Sequence, residues 1–165
     1  METLKTTVTK KKIGFRASGI SDLCNTMGMF VFLCLMLYFI TMRAIGLYEL
    51  FALRDFNIVF LVTGILFALS SYSKMSKDGA DYLTGLKIGI RITLTAILPF
   101  ALFIYFYLTT DTTFMNLLKT TLNMGEFTSI LGEIISPAIA AVIIFLEGLL
   151  SGVIITFVAM QYYKK

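Results

Sequence analysis

Histidine and tryptophan are absent from this 165-residue chain, cysteine occurs only at Cys24 and Cys34, and proline only at Pro99 and Pro137. Without histidine there is no Ser-His-Asp or Cys-His catalysis, no Cys/His zinc site and no bis-histidine haem ligation. Ten positions apart on one helix, the two thiols would lie about 15 Å from each other, beyond disulfide reach, and they read as packing groups. Charge is scarce too: 15% of residues are charged against 58% hydrophobic, with a mean hydropathy of +0.86. A body this small has proportionally much surface, and so few charges would clothe it poorly in water. Phosphate-binding glycine loops, metal motifs and nucleophile elbows are also missing, so the expectation is a protein that is not an enzyme and carries no cofactor.

What is present is long apolar blocks separated by short charged stretches. The first block, TMGMFVFLCLMLYFITM at residues 26–42, follows a basic start with Lys5, Lys10, Lys11, Lys12 and Arg16. It is too long for a signal core, has no small-residue cleavage pattern after it, and predicts a retained span over 20–42. NIVFLVTGILFALSSY predicts a second span over 55–73, joined to the first by a tight interfacial connection from Arg43 to Leu53. Asp78 and Gly79 suit a turn, and Asp81 suits the cap of a third span over 82–108. Pro99 falls inside that span and is a candidate kink, because it removes an interior donor. Ser136 and Pro137 have the chemistry of a cap followed by a first-turn proline, opening a fourth span over 137–161. Between spans three and four, Phe114, Leu117, Leu118 and Leu122, then Phe127, Ile130, Leu131 and Ile134, recur at helical spacing. The expected fold is all-α: a single integral membrane domain over 1–165, a four-transmembrane-helix bundle with an amphipathic surface helix between spans three and four.

Four spans put both termini on one side. That side collects Lys5, Lys10, Lys11, Lys12, Arg16, Lys74, Lys77, Lys164 and Lys165, against Arg43, Arg54 and Lys119 on the other, which places the termini in the cytoplasm. The formal charge of +4 is then explained by membrane orientation rather than by nucleic acid, and lipids are the expected partners. Tyr72, Tyr82, Tyr162 and Tyr163 fall at one interface and Tyr38, Tyr48, Tyr105 and Tyr107 at the other, as two aromatic belts would.

Two charges, Arg91 and Glu147, lie deep in predicted spans. Counted from opposite ends of antiparallel helices, they reach about 14 and 15 Å, comparable depths in a core of about 30 Å. They form a candidate intramembrane polar pair, either binding helix to helix or lining a path for a solute, a proton or a lipid headgroup. Lys87, Arg91, Thr95 and Pro99 share one face, and Ser151 follows Glu147 by one turn. Arg16, Asp22, Asn25 and Thr26 gather at the entry to the first helix, where an interfacial start or lipid headgroups would suit them. Gly85, Gly89, Thr93 and Ala96 form a small-residue stripe, and Gly148, Gly152, Thr156 and Ala159 repeat its spacing, while Gly64 and Ala68 mark the second span. Such stripes suit packing within the chain, against a membrane-protein partner, or in a homo-oligomer.

The order of these features resembles a bacterial membrane family catalogued as domain of unknown function 4199, frequent in Bacteroidota. The likeness rests on the basic start, on DYLTGLKIGIRITLTAILPFALFIYFY with Gly85, Lys87 and Gly89, and on SPAIAAVIIFLEGLLSGVIITFVAMQYYKK with Gly148 and Gly152. It implies a small inner-membrane protein and supplies no catalytic residues. Two functions fit: a non-enzymatic accessory or scaffold subunit of a bacterial inner-membrane assembly, and a small oligomeric carrier for a lipid or solute. The charge asymmetry makes one expectation testable directly: a reporter fused after Lys165 should read out as cytoplasmic, and an external signal would contradict the assigned orientation.

Overall fold

The computed structural model describes residues 2–46, 57–75, 81–113, 115–116 and 135–163. Four helices account for nearly all of them: α1 Glu2–Ile45, α2 Asn57–Met75, α3 Tyr82–Thr110 and α4 Pro137–Tyr163. Each contains a stretch long and apolar enough to cross a membrane, beginning at Gly19 in α1 and covering nearly all of each other helix. The protein is therefore an all-α bundle of four apolar helices. The expected interfacial connection, the turn at Asp78 and Gly79, and most of the surface helix between spans three and four lie outside the described residues.

Local chemistry explains where α3 and α4 start. The Asp81 carboxylate accepts from the Thr84 backbone N–H at 3.1 Å and from the Thr84 hydroxyl at 2.8 Å, satisfying donors that a helix start leaves open. At α4, Ser136 Oγ accepts from the Ile139 backbone N–H at 3.3 Å, and Pro137 takes the first helical position, where no donor is needed. Hydroxyls inside the apolar stretches satisfy themselves: Thr41, Thr63, Thr93, Thr95 and Thr156 each donate to the carbonyl one turn back. With no water to bond to, that back-bonding is what makes a threonine tolerable in lipid. Pro99 sits within α3, which continues past it to Thr110.

The helices pack as a rhombus. α2 and α3 each touch every other helix and form its short diagonal, while α1 and α4 occupy the far corners. Burial follows: 44% of the most apolar stretch of α3 is buried inside the protein, against 11% for α4, so α3 is the central post and α4 mostly faces lipid. Phe30, Phe106, Leu150, Ile154 and Val158 are among the large apolar side chains left facing outward, as a bilayer requires.

The contact between α3 and α4 is the most extensive and is built by the two small-residue stripes. A Cβ on Gly85 would collide with Met160, on Gly89 with Thr156, on Gly152 with Thr93, and on Gly148 with Ile97 at 2.9 Å. Four positions forward on α3 thus match four back on α4, an antiparallel register. The pattern Leu-x-Gly-Leu-x-x-Gly-x-x-Ile-Thr-x-x-Ala occurs twice, at 83–96 and 146–159, so each helix presents the same surface to the other. Thr93 fills the gap over Gly152 while its hydroxyl bonds Gly89, and Thr156 fills the gap over Gly89 while its hydroxyl bonds Gly152. Two further glycines serve the contacts of α1: Gly64 of α2 admits Val31, and Gly28 of α1 lies against Thr95 of α3.

This packing predicts an order of substitution effects. Gly89→Ala and Gly152→Ala should each destabilise the detergent-solubilised protein by about 1–3 kcal/mol, because the opposing threonine is branched and held by its own hydrogen bond. Gly148→Ala should cost less, since Ile97 offers movable methyl ends. Thermal unfolding of the three variants side by side checks this, and equal effects would contradict it.

Candidate functional site

The register of α3 on α4 also fixes what the deep charges can reach. It sets Glu147 level with Leu98, seven residues and about 10 Å beyond Arg91 along the bundle. Helices of 29 and 27 residues are about 44 and 40 Å long, so depths of 14 and 15 Å from opposite ends leave a gap. Matched depth would require helices no longer than the hydrocarbon is thick. Among the described residues no ion pair joins Arg91 to Glu147. Arg91 instead turns toward α1, where its Nε donates to Asn25 Oδ1 at 3.3 Å.

Glu147 belongs to a different feature, a partly open cavity of about 180 Å³ in the half of the bundle away from the termini. All four helices line it. Ile97, Phe100, Ile104 and Leu108 form one stripe of α3, and Ala140, Ile144, Gly148 and Ser151 form one stripe of α4. α1 contributes Leu35 and Phe39, and the first turns of α2 contribute Asn57, Ile58 and Leu61. Ala140 and Ser151 contribute small side chains to this wall, and Gly148 lies at its edge, packed against Ile97. Its walls are apolar, with Asn57, Glu147 and Ser151 as the polar lining. Glu147 is exposed overall and stands at the rim. Asn57 Oδ1 is a buried acceptor with no hydrogen-bond partner among the described residues. An unpaired acceptor in an apolar site is costly, so that oxygen favours a donor entering the cavity. Pro99 lies between Ile97 and Phe100, beside the cavity wall, where it leaves the Thr95 carbonyl without its helical donor.

At the end remote from the termini the cavity is braced by a polar cluster that no sequence pattern assembles. Arg43, in the last turn of α1, donates from Nε to the Tyr107 hydroxyl at 2.8 Å and from Nη2 to Asp111 Oδ2 at 2.7 Å. Tyr107 donates in turn to Asp111 at 3.0 Å. Phe39, which lines the cavity, packs edge-on against Tyr107 at 5.1 Å and against Phe103 at 5.9 Å. Tyr107 and Asp111 are one turn apart, a spacing visible in the sequence, but their partner on α1 depends on α1 running parallel to α3.

Of the residues singled out from sequence, Gly85, Gly89, Gly148 and Gly152 meet across one helix contact, with Gly148 also at the cavity. Glu147 lines the cavity with Gly148, and Arg91 stands apart, against Asn25. Among the described residues no group of acids and cysteines is arranged to hold a metal ion. No protein-family model, curated protein or solved structure matches the chain.

The Arg43 cluster can be measured by a double-mutant cycle. Arg43 and Asp111 retain 29% and 23% side-chain exposure, so Arg43→Gln and Asp111→Asn should show a coupling of about 1 kcal/mol that shrinks as salt is added. Additive losses would remove the ion pair from any role in bracing the cavity.

Proposed function

We propose that the protein is a small membrane carrier that takes a lipophilic molecule bearing a hydrogen-bond donor, such as an organic amine, into the cavity between its four helices. The observation that carries this reading is the composition of that cavity: apolar walls from every helix, with a carboxylate at Glu147 and, at Asn57, an acceptor that has no partner among the described residues. Apolar walls select an apolar body, and polar groups that accept select a donor or a cation. Phe39 and Phe100 add ring faces and edges suited to an aromatic or cationic group. A cavity of about 150 Å³ holds a benzene ring, so this one suits a single ring or a short chain. Pro99, next to the wall, supplies a place where α3 can bend as a ligand enters or leaves.

A scaffold role in a bacterial inner-membrane assembly rests on the missing catalytic constellations, the small extramembrane parts and the small-residue faces. Those at Gly85 and Gly89 and at Gly148 and Gly152 are taken up by packing α3 on α4 inside the chain, which favours the carrier. Residence in a bacterial inner membrane with both termini in the cytoplasm completes the proposal. It rests on the lysine distribution and on the likeness to the uncharacterised family.

The test uses benzylamine, with benzyl alcohol as its neutral counterpart, on the full chain in mild detergent. At ten times its Kd the amine should add about 1.4 kcal/mol of stability and raise the unfolding temperature. Ala140→Phe, which fills the cavity, should abolish the response to both compounds, whereas Glu147→Gln should weaken the amine selectively. An unchanged amine response in Ala140→Phe would rule the cavity out as the binding site.

A further inference from the structure

Arg91 presents a separate problem, at the other end of the bundle and outside the cavity. Its side chain is exposed and makes a single hydrogen bond, to the neutral Asn25 side chain at 3.3 Å, among the described residues. Four of its five guanidinium donors therefore have no protein partner among those residues. The ion pair of Arg43 with Asp111 lies at the far end of the bundle, out of its reach. A charge in a membrane span without a protein counter-ion needs water or an anion from the bilayer.

Depth says which. α3 is about 44 Å long and the hydrocarbon about 30 Å thick, so a centred α3 projects about 7 Å at each end. Arg91, about 14 Å from Tyr82, then lies about 7 Å inside the hydrocarbon, near enough for a long side chain to lift its charge to the headgroups. Lys87, exposed one turn nearer the termini, reaches the boundary on the same face. α1 is held close here by Gly28 against Thr95, which brings the Asn25 amide alongside. Asp22, exposed one turn before Asn25, makes no ion pair with either cation. Among the described residues, two positive charges against one negative leave the face net positive.

We infer that Arg91, with Lys87 and Asn25, binds the phosphate of an anionic phospholipid in the leaflet on the side of the termini. The guanidinium donates to two phosphate oxygens as a fork, with Asn25 Oδ1 holding Nε so that the free edge faces the lipid. Lys87 supplies the second charge as a point contact. Asp22 disfavours further negative charge, so a singly charged headgroup fits better than a multiply charged one.

The experiment counts lipids retained by the full-length protein in native mass spectrometry, with phosphatidylglycerol and phosphatidylcholine in competition. The wild type should keep one phosphatidylglycerol in clear preference. Arg91→Gln and Lys87→Gln should each lower that preference about fivefold. Glu147→Gln should leave it unchanged, which separates this site from the cavity. Should Arg91→Gln fail to fold, Lys87→Gln, which spares the Arg91 to Asn25 bond, decides alone. Equal retention of the two lipids by the wild type, an undiminished preference in Lys87→Gln, or stabilisation by inorganic phosphate matching that by the lipid would overturn the assignment.

Discussion

Lipid gives helices no hydrophobic reason to associate, so a bundle in a bilayer depends on how closely its backbones can approach. In this protein that approach is made between α3 and α4, where Gly89 receives Thr156 and Gly152 receives Thr93. The exchange is reciprocal because the two helices share one surface pattern and run antiparallel. Each threonine spends its hydroxyl on its own helix, so the interface gains close contact with no polar group left open. The other placements follow from this register. It sets Glu147 level with Leu98, separates it from Arg91, and puts Gly148 against Ile97 at the edge of the cavity.

The cavity is a consequence of the same design. Small side chains of α4 at Ala140 and Ser151 line it, while Gly148 at its edge is held close against Ile97 of α3. The ends of the bundle then differ in chemistry. One is tied by Arg43, Tyr107 and Asp111, which satisfy each other. The other carries Arg91 and Lys87, which make no ion pair among the described residues.

Much of this is legible in the amino-acid sequence. Hydropathy locates four helices, capping chemistry locates the starts at Asp81 and Pro137, and spacing by four marks the faces that α3 and α4 turn to each other. These are local signals, each carried by one helix. The separation of Arg91 from Glu147 is not legible, because depth counted from two helix ends requires the register between them. Arg43 with Asp111, and Asn25 with Arg91, are hidden for a related reason: α1 and α3 are parallel and not consecutive, and no one-helix pattern shows which faces meet. The cavity is invisible to sequence because it is a deficit of side-chain volume shared among four helices.

The register of α3 on α4 within one chain is the claim on which the site rests, and cysteine cross-linking in native membranes reads it directly. With Cys24 and Cys34 replaced by alanine, Ile97→Cys with Gly148→Cys should form a disulfide inside the monomer on mild oxidation, while Ile97→Cys with Gly152→Cys should not. Cross-linked dimers in place of closed monomers, or equally rapid linkage of the mismatched pair, would contradict the account.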